Sequence, residues 1–141
     1  MHRFISVSTV LCSVLLALGA AACGSDNPTT APTTDVPTIT ESFSDTVTVN
    51  GARTHPFTVS KAGTVTATLI VLSPDSTVTI GLSLGTWNGT SCQIIIANDA
   101  AVLNSAATGT AQTGGGSYCV RVYDVGRLTA PTDYTVQVTH T

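Results

Sequence analysis

Residues 114–140, GGGSYCVRVYDVGRLTAPTDYTVQVTH, alternate apolar and polar side chains with a period of two on both sides of a turn-rich centre. Tyr118, Val120 and Val122 face one way and Cys119, Arg121 and Tyr123 the other; Tyr134, Val136 and Val138 repeat the pattern against Thr135, Gln137 and Thr139. Such alternation is the mark of strands with one buried face. Gly126, Ala130-Pro131 and Asp133 lie between the two runs and suit a turn. The stretch therefore predicts two strands closing the domain as a hairpin, for which the chain upstream must supply an opposing surface.

That upstream chain reads as more strands. Phe43, Val47 and Val49 share one side of a first strand beginning near Glu41, and Asn50-Gly51 after it is a strong hairpin signal because both residues tolerate positive φ. Phe57 and Val59 follow, then a turn at Lys61-Ala62-Gly63. Val65, Ala67, Leu69 and Val71 form one face of a longer strand that Ser73-Pro74-Asp75-Ser76 breaks. Val78, Ile80, Leu82 and Leu84 make another alternating run, with a loop over residues 85–91 carrying Trp87. Cys92 to Ala97 reads as a short strand, where Ile94-Ile95-Ile96 suggests burial on both faces. Residues 98–116 leave room for strands near Ala101-Leu103 and Thr108-Gln112. No window beyond residue 22 has a 3.6-residue period. The expectation is all-β, an antiparallel sandwich spanning residues 40–141.

Charge narrows the function. Charged residues make up 9% of the 141-residue chain and the formal net charge is -3. With no basic cluster, phosphate neutralisation has nothing to act through, so nucleic acid is not an expected partner. The solvent-facing positions go to threonine instead: Thr46, Thr48, Thr64, Thr66, Thr68, Thr77 and Thr79 all alternate with apolar neighbours.

The N-terminus is an address. Met1-His2-Arg3 precedes an apolar run from Phe4 to Ala22, the layout of a secretory signal peptide over residues 1–22. Ala20-Ala21-Ala22-Cys23 resembles the lipobox of bacterial lipoproteins, with Ala20 where that family prefers Leu. The resemblance implies cleavage before Cys23 and acylation of its sulfur and amino group. Buried methylenes contribute about 0.8 kcal/mol each, so two or three acyl chains hold a protein durably on a bilayer. Ordinary signal-peptidase cleavage after Ala22 is the alternative. Gly24 after the cysteine, in place of an inner-membrane-retaining Asp, implies the outer membrane in a Gram-negative cell. Residues 23–39 then read as the attachment site and a Thr/Pro-rich tether, with Pro28, Pro32 and Pro37 keeping it extended.

A second resemblance covers about residues 40–140. It rests on Gly63-x-Val65 before a long strand, Leu82-Ser83-Leu84, the G-x-Y-x-V of Gly116 to Val120, and Tyr134-x-Val136-x-Val138. Together these are similar to the bacterial pre-peptidase C-terminal (PPC) domain, which implies a jelly-roll-like β-sandwich that is not itself catalytic. Such modules usually accompany exported enzymes, and Thr54-His55-Pro56 here occupies the place where an Asp is common.

Of four cysteines, Cys12 falls in the leader and Cys23 is the lipidation candidate. Cys92 and Cys119 are expected to pair as a disulfide in an oxidising compartment, on the outer side or at a sheet edge; two buried thiols are the alternative. No nucleophile elbow is present, His55 begins a strand, and His140 lies where a chain end frays. Asp75, Asp99, Asp124 and Asp133 sit in expected loops without the D-x-D spacing that calcium favours, so neither metal nor cofactor is expected. Trp87 either recognises a ligand or caps the core, and Tyr123 with Asp124 on the outer face is a second binding candidate. The sequence-level expectation is a non-enzymatic binding or accessory module for a protein or carbohydrate, anchored by lipid outside the cytoplasm. A structural envelope component is the runner-up, and a small secreted hydrolase the third reading.

Overall fold

The computed structural model describes residues 36–141; the leader, Cys23 and the tether up to residue 35 lie outside the described residues. Eight strands follow in order: β1 (Ile39–Val47), β2 (Ala52–Val59), β3 (Gly63–Ser73), β4 (Ile80–Trp87), β5 (Cys92–Ala101), β6 (Ala106–Ala111), β7 (Gly116–Tyr123) and β8 (Thr132–His140). They form two four-stranded antiparallel sheets, sheet one with order β1-β8-β3-β6 and sheet two with order β2-β7-β4-β5. This is the strand order of a jelly roll.

Only β4 and β5 are consecutive strands that pair with each other; every other connection crosses from one sheet to the other. Two expected hairpins are therefore corners. At Asn50-Gly51, Asn50 takes the left-handed conformation (φ 55°), but β1 and β2 belong to opposite sheets. The closing pair, β7 and β8, likewise separates: β7 pairs with β2 and β4, and β8 with β1 and β3. Alternation specifies which face of a strand is buried and leaves its hydrogen-bonded neighbour open.

Between the sheets the inward sets meet as the period requires. Val65, Ala67 and Leu69 of β3 and Tyr134, Val136 and Val138 of β8 are buried against Phe57 and Val59 of β2, Ile80, Leu82 and Leu84 of β4, and Val120 and Val122 of β7. Bulges explain the departures. Ile70 is an extra residue between the pairs Leu69–Val136 and Val71–Thr135, so Val71 turns out and Leu72 turns in. On β5, Ile95 is extra between the pairs Leu84–Ile96 and Gly85–Ile94. The isoleucine run is thus not buried on both faces: it lies on an edge strand, with Ile95 at 65% exposure and only Ile96 packed against the core. Ala101 ends β5, and β6 is the one strand between β5 and β7. Trp87 is the last residue of β4 and not a loop residue, and Val49 stands exposed past the end of β1.

Cys92 and Cys119 form a disulfide, on the outer side of sheet two, with Cys119 fully buried. It joins β5 to β7 across β4, although strands two apart in a flat sheet lie roughly 9–10 Å from each other. The two Cα atoms are 5.8 Å apart, so the start of β5 folds over the outer face of β4. Gly85 makes room: a Cβ there would sit 2.1 Å from the Gln93 carbonyl oxygen. Closing the loop between positions 27 apart contributes roughly 3–4 kcal/mol in the chain-entropy treatment. The Cys92→Ser/Cys119→Ser double variant is expected to lose about 3 kcal/mol in urea unfolding, and Gly85→Ala about 2 kcal/mol or more while its disulfide stays closed. A Gly85→Ala protein as stable as wild type would contradict the close approach.

Candidate functional site

At the side of the sandwich where β1 meets β2, aromatic rings fill the space between the sheets. Phe43 of β1 stacks on His55 of β2 (5.1 Å between centroids), and Phe57 stacks on both Tyr118 and His140 (6.1 and 5.7 Å). His55 Nε2 lies 2.7 Å from the Tyr134 hydroxyl, and Asp45 closes the edge with a 3.3 Å ion pair to Arg53. His140, expected to fray, is fully buried in β8 with Nε2 2.9 Å from Glu41 Oε1. Its ring completes the aromatic column, a role that its place next to the chain end concealed.

Burial is the main force on His55 and Tyr134. It holds the His55 pKa below the ordinary 6.5, with Asp45 opposing and Arg53 reinforcing the shift. It also raises the Tyr134 hydroxyl, with the nearby Asp45 charge acting in the same direction. The column offers packing and two internally bonded imidazoles, not a ligand cavity.

Asp124, a binding candidate in the sequence, is committed to the fold. Its Oδ1 accepts hydrogen bonds from the backbone N–H groups of Gly126, Arg127 and Leu128, and its Oδ2 from that of Asn50. Slight burial opposes ionisation, but these four donors outweigh it and hold the pKa below 3.8. The carboxylate ties the β7–β8 connection to the β1–β2 corner, which explains how Asn50 keeps a positive φ without a hairpin. Among the described residues no group of three or more His, Cys, Asp or Glu converges as a metal centre.

The other two candidates share the outer face of sheet two. There three outward positions of β4, Gly81, Ser83 and Gly85, are buried although they face outward. Tyr123 is one reason: a Cβ on Gly81 would lie 2.3 Å from its ring. Its hydroxyl donates to the Asp99 carboxylate of β5, and its pKa is pushed up to about 12 by burial first and then by Asp99. Tyr123 therefore stays neutral as a proton donor. The Arg121 guanidinium carbon stands 5.3 Å from the Tyr123 ring centroid, a cation–π contact.

Two shallow depressions lie on this face, and Arg121 lines one of them. One, of about 310 Å³, is lined by Thr54, Trp87, Thr90, Ser91, Cys92 and Arg121. Beyond Tyr123 lies the other, of about 420 Å³, lined by Asp99, Tyr123, Val125 and Arg127. Sequence reasoning missed Arg121 and the hydroxyls of Thr54, Thr90 and Ser91. Outward alternation with Tyr123 was the available signal for Arg121; the hydroxyls come from strand β2 and from the β4–β5 turn, far apart in the chain, and carried none. An apolar crevice at the opposite side, between Leu84, Ile96 and Tyr118, holds about 40 Å³, room for water alone.

Two measurements probe these assignments. Because His55 binds its proton less readily when folded, the unfolded chain takes up more protons as pH falls. Stability is full above about pH 6.5 and drops as pH descends towards the lowered folded value, so Tm should fall between pH 7 and 5. His55→Gln should flatten that slope and leave the steeper loss below about pH 4, where Asp45 and Asp124 protonate. Asp124→Ala should cost on the order of 2 kcal/mol in urea unfolding by stripping four backbone donors.

No model of a known protein family matches the chain, and no curated protein is significantly similar to it.

Proposed function

We propose that this protein is a lipid-anchored, extracytoplasmic β-sandwich whose outer face on sheet two is a non-catalytic binding surface. One observation carries the reading. Trp87, Arg121 and Tyr123 stand on the outward side of one sheet, and among the described residues no carboxylate lies within 4 Å of Arg121. A guanidinium stacked on a ring and left without a counter-charge is oriented for an outside acceptor. The face sits on paired strands, the kind of support that holds a recognition site still.

The anchor rests on the sequence. The apolar leader and Ala20-Ala21-Ala22-Cys23 support acylation at Cys23 and attachment to a bilayer. A Cys92–Cys119 disulfide persists in an oxidising compartment, which supports export. The likeness to PPC modules rests on the short motifs alone, among them the Gly116–Val120 stretch that opens β7 and the Tyr134–Val138 stretch within β8. It agrees with an accessory role and no chemistry of its own.

Cells producing the full chain and fed an alkyne-tagged fatty acid should label it, and Cys23→Ala should abolish labelling; an unacylated Cys23 at the mature N-terminus would refute the anchor. The purified full chain, held in detergent, should be retained on cell-envelope material freed of its lipid, where the acyl anchor has nothing to insert into. A Trp87→Ala/Arg121→Gln variant should lose most retention, and Thr66→Ala on the outer face of sheet one should lose none. Equal retention of all three would exclude this face.

A further inference from the structure

The depression between Trp87 and Arg121 has walls of three kinds. Trp87 contributes an aromatic surface, Thr54, Thr90 and Ser91 contribute hydroxyls, and Arg121 contributes the charge. Ser91 Oγ receives hydrogen bonds from Asn88 Nδ2 (3.1 Å) and Gln93 Nε2 (3.0 Å), so its own O–H remains to donate. The Thr54 and Thr90 hydroxyls and the Arg121 guanidinium make no side-chain hydrogen bond among the described residues. These donors converge without partners of their own.

The site is also built to hold its shape. Asn88 Oδ1 accepts from the backbone N–H groups of Thr90 and Ser91 (3.0 and 2.8 Å), fixing the β4–β5 turn that carries both hydroxyls. Directly after that turn, Cys92 is bonded to Cys119, two residues before Arg121 on the same outward row of β7. The disulfide thus clamps the Trp87 turn to the strand that bears the arginine. Binding to such a surface spends little on ordering it.

An aromatic ring beside several hydroxyls suits a sugar, whose C–H face covers the ring while its hydroxyls exchange hydrogen bonds. The guanidinium fork suits a planar carboxylate in two-point contact better than a neutral group. We propose that the Trp87–Arg121 depression binds a uronic-acid residue of an acidic polysaccharide. The inference rests on the reading of this face as the binding surface and adds the chemistry of what it takes. A free phosphate would accept from Arg121 and the hydroxyls but leave Trp87 idle, and an acidic peptide side chain carries no C–H face of sugar size to cover the ring.

Trp87 is the chain's single tryptophan, so its emission reports this depression alone. The acylated full chain in detergent micelles is titrated with a tetramer of galacturonic acid, with its carboxyl-reduced neutral counterpart, with an oligoglutamate and with inorganic phosphate. The uronate should change Trp87 emission saturably and the other three should not. Arg121→Gln should weaken uronate binding at least tenfold and Arg121→Lys less, both with unchanged Tm; Cys92→Ser/Cys119→Ser should weaken it several-fold through a loosened turn. An equal response to the neutral sugar, tighter binding of oligoglutamate, or no saturable change would overturn the proposal. If envelope retention still depends on Arg121 in that last case, the binding face stands and only the uronate falls.

Discussion

One constraint governs this sandwich: each strand has a single face to bury, and all but one connection carries the chain to the opposite sheet. The inner faces must therefore match across the gap, while the outer faces are released from packing. Sheet one uses that freedom for hydroxyls. Thr64, Thr66 and Thr68 of β3 stand outward beside Thr135 and Thr139 of β8 and Thr108 of β6, with Thr66 and Thr108 in contact at 3.3 Å. β-Branched polar side chains satisfy the pleat and water together, which is how a chain with 9% charged residues keeps a wet surface.

Sheet two treats its outer face differently, and the difference is traceable to glycine. With Gly81 and Gly85 on β4, the strand presents no side chain at two of its outward positions, and other groups close over it. Tyr123 lies across one, and the backbone of β5, drawn in by the disulfide, across the other. The outer face thus acquires relief: rings, a guanidinium and a clamped turn rise around a low central strand. The same packing that buries β4 on both sides makes the depressions that flank it.

Much of this fold was legible in the sequence because it is written in local alternation. The inward sets Val65-Ala67-Leu69, Ile80-Leu82-Leu84 and Val136-Val138 follow directly from it. So does the outward placement of Cys119. What alternation cannot carry is pairing, so Asn50-Gly51 and the β7–β8 stretch read as hairpins when they are corners. Nor can it carry a bulge. One unpaired residue, Ile70 or Ile95, reverses the sense of everything after it in the strand, which is why Val71 and the isoleucine run were placed wrongly. Residues at a chain end are read by position, and His140 shows the error: its ring has Phe57 to stack on and Glu41 to bond.

The face on sheet two was half legible for a related reason. Trp87 and Tyr123 stand out in a chain with 5% aromatic residues, but composition cannot tell a ring that packs from one that waits. Tyr123 does both, covering Gly81 with its ring while its hydroxyl holds Asp99 and its face holds Arg121. Asp124, its neighbour, does only the first kind of work, spending its carboxylate on four backbone donors. The distinction lies in what each group has left over. Asp124 has its acceptors filled from within, whereas Arg121 keeps a charge that nothing in the described chain neutralises. An unbalanced charge beside hydroxyls, on a surface stiffened by a disulfide, is stabilised most by an acceptor from outside, and that asymmetry separates a binding face from a merely decorated one.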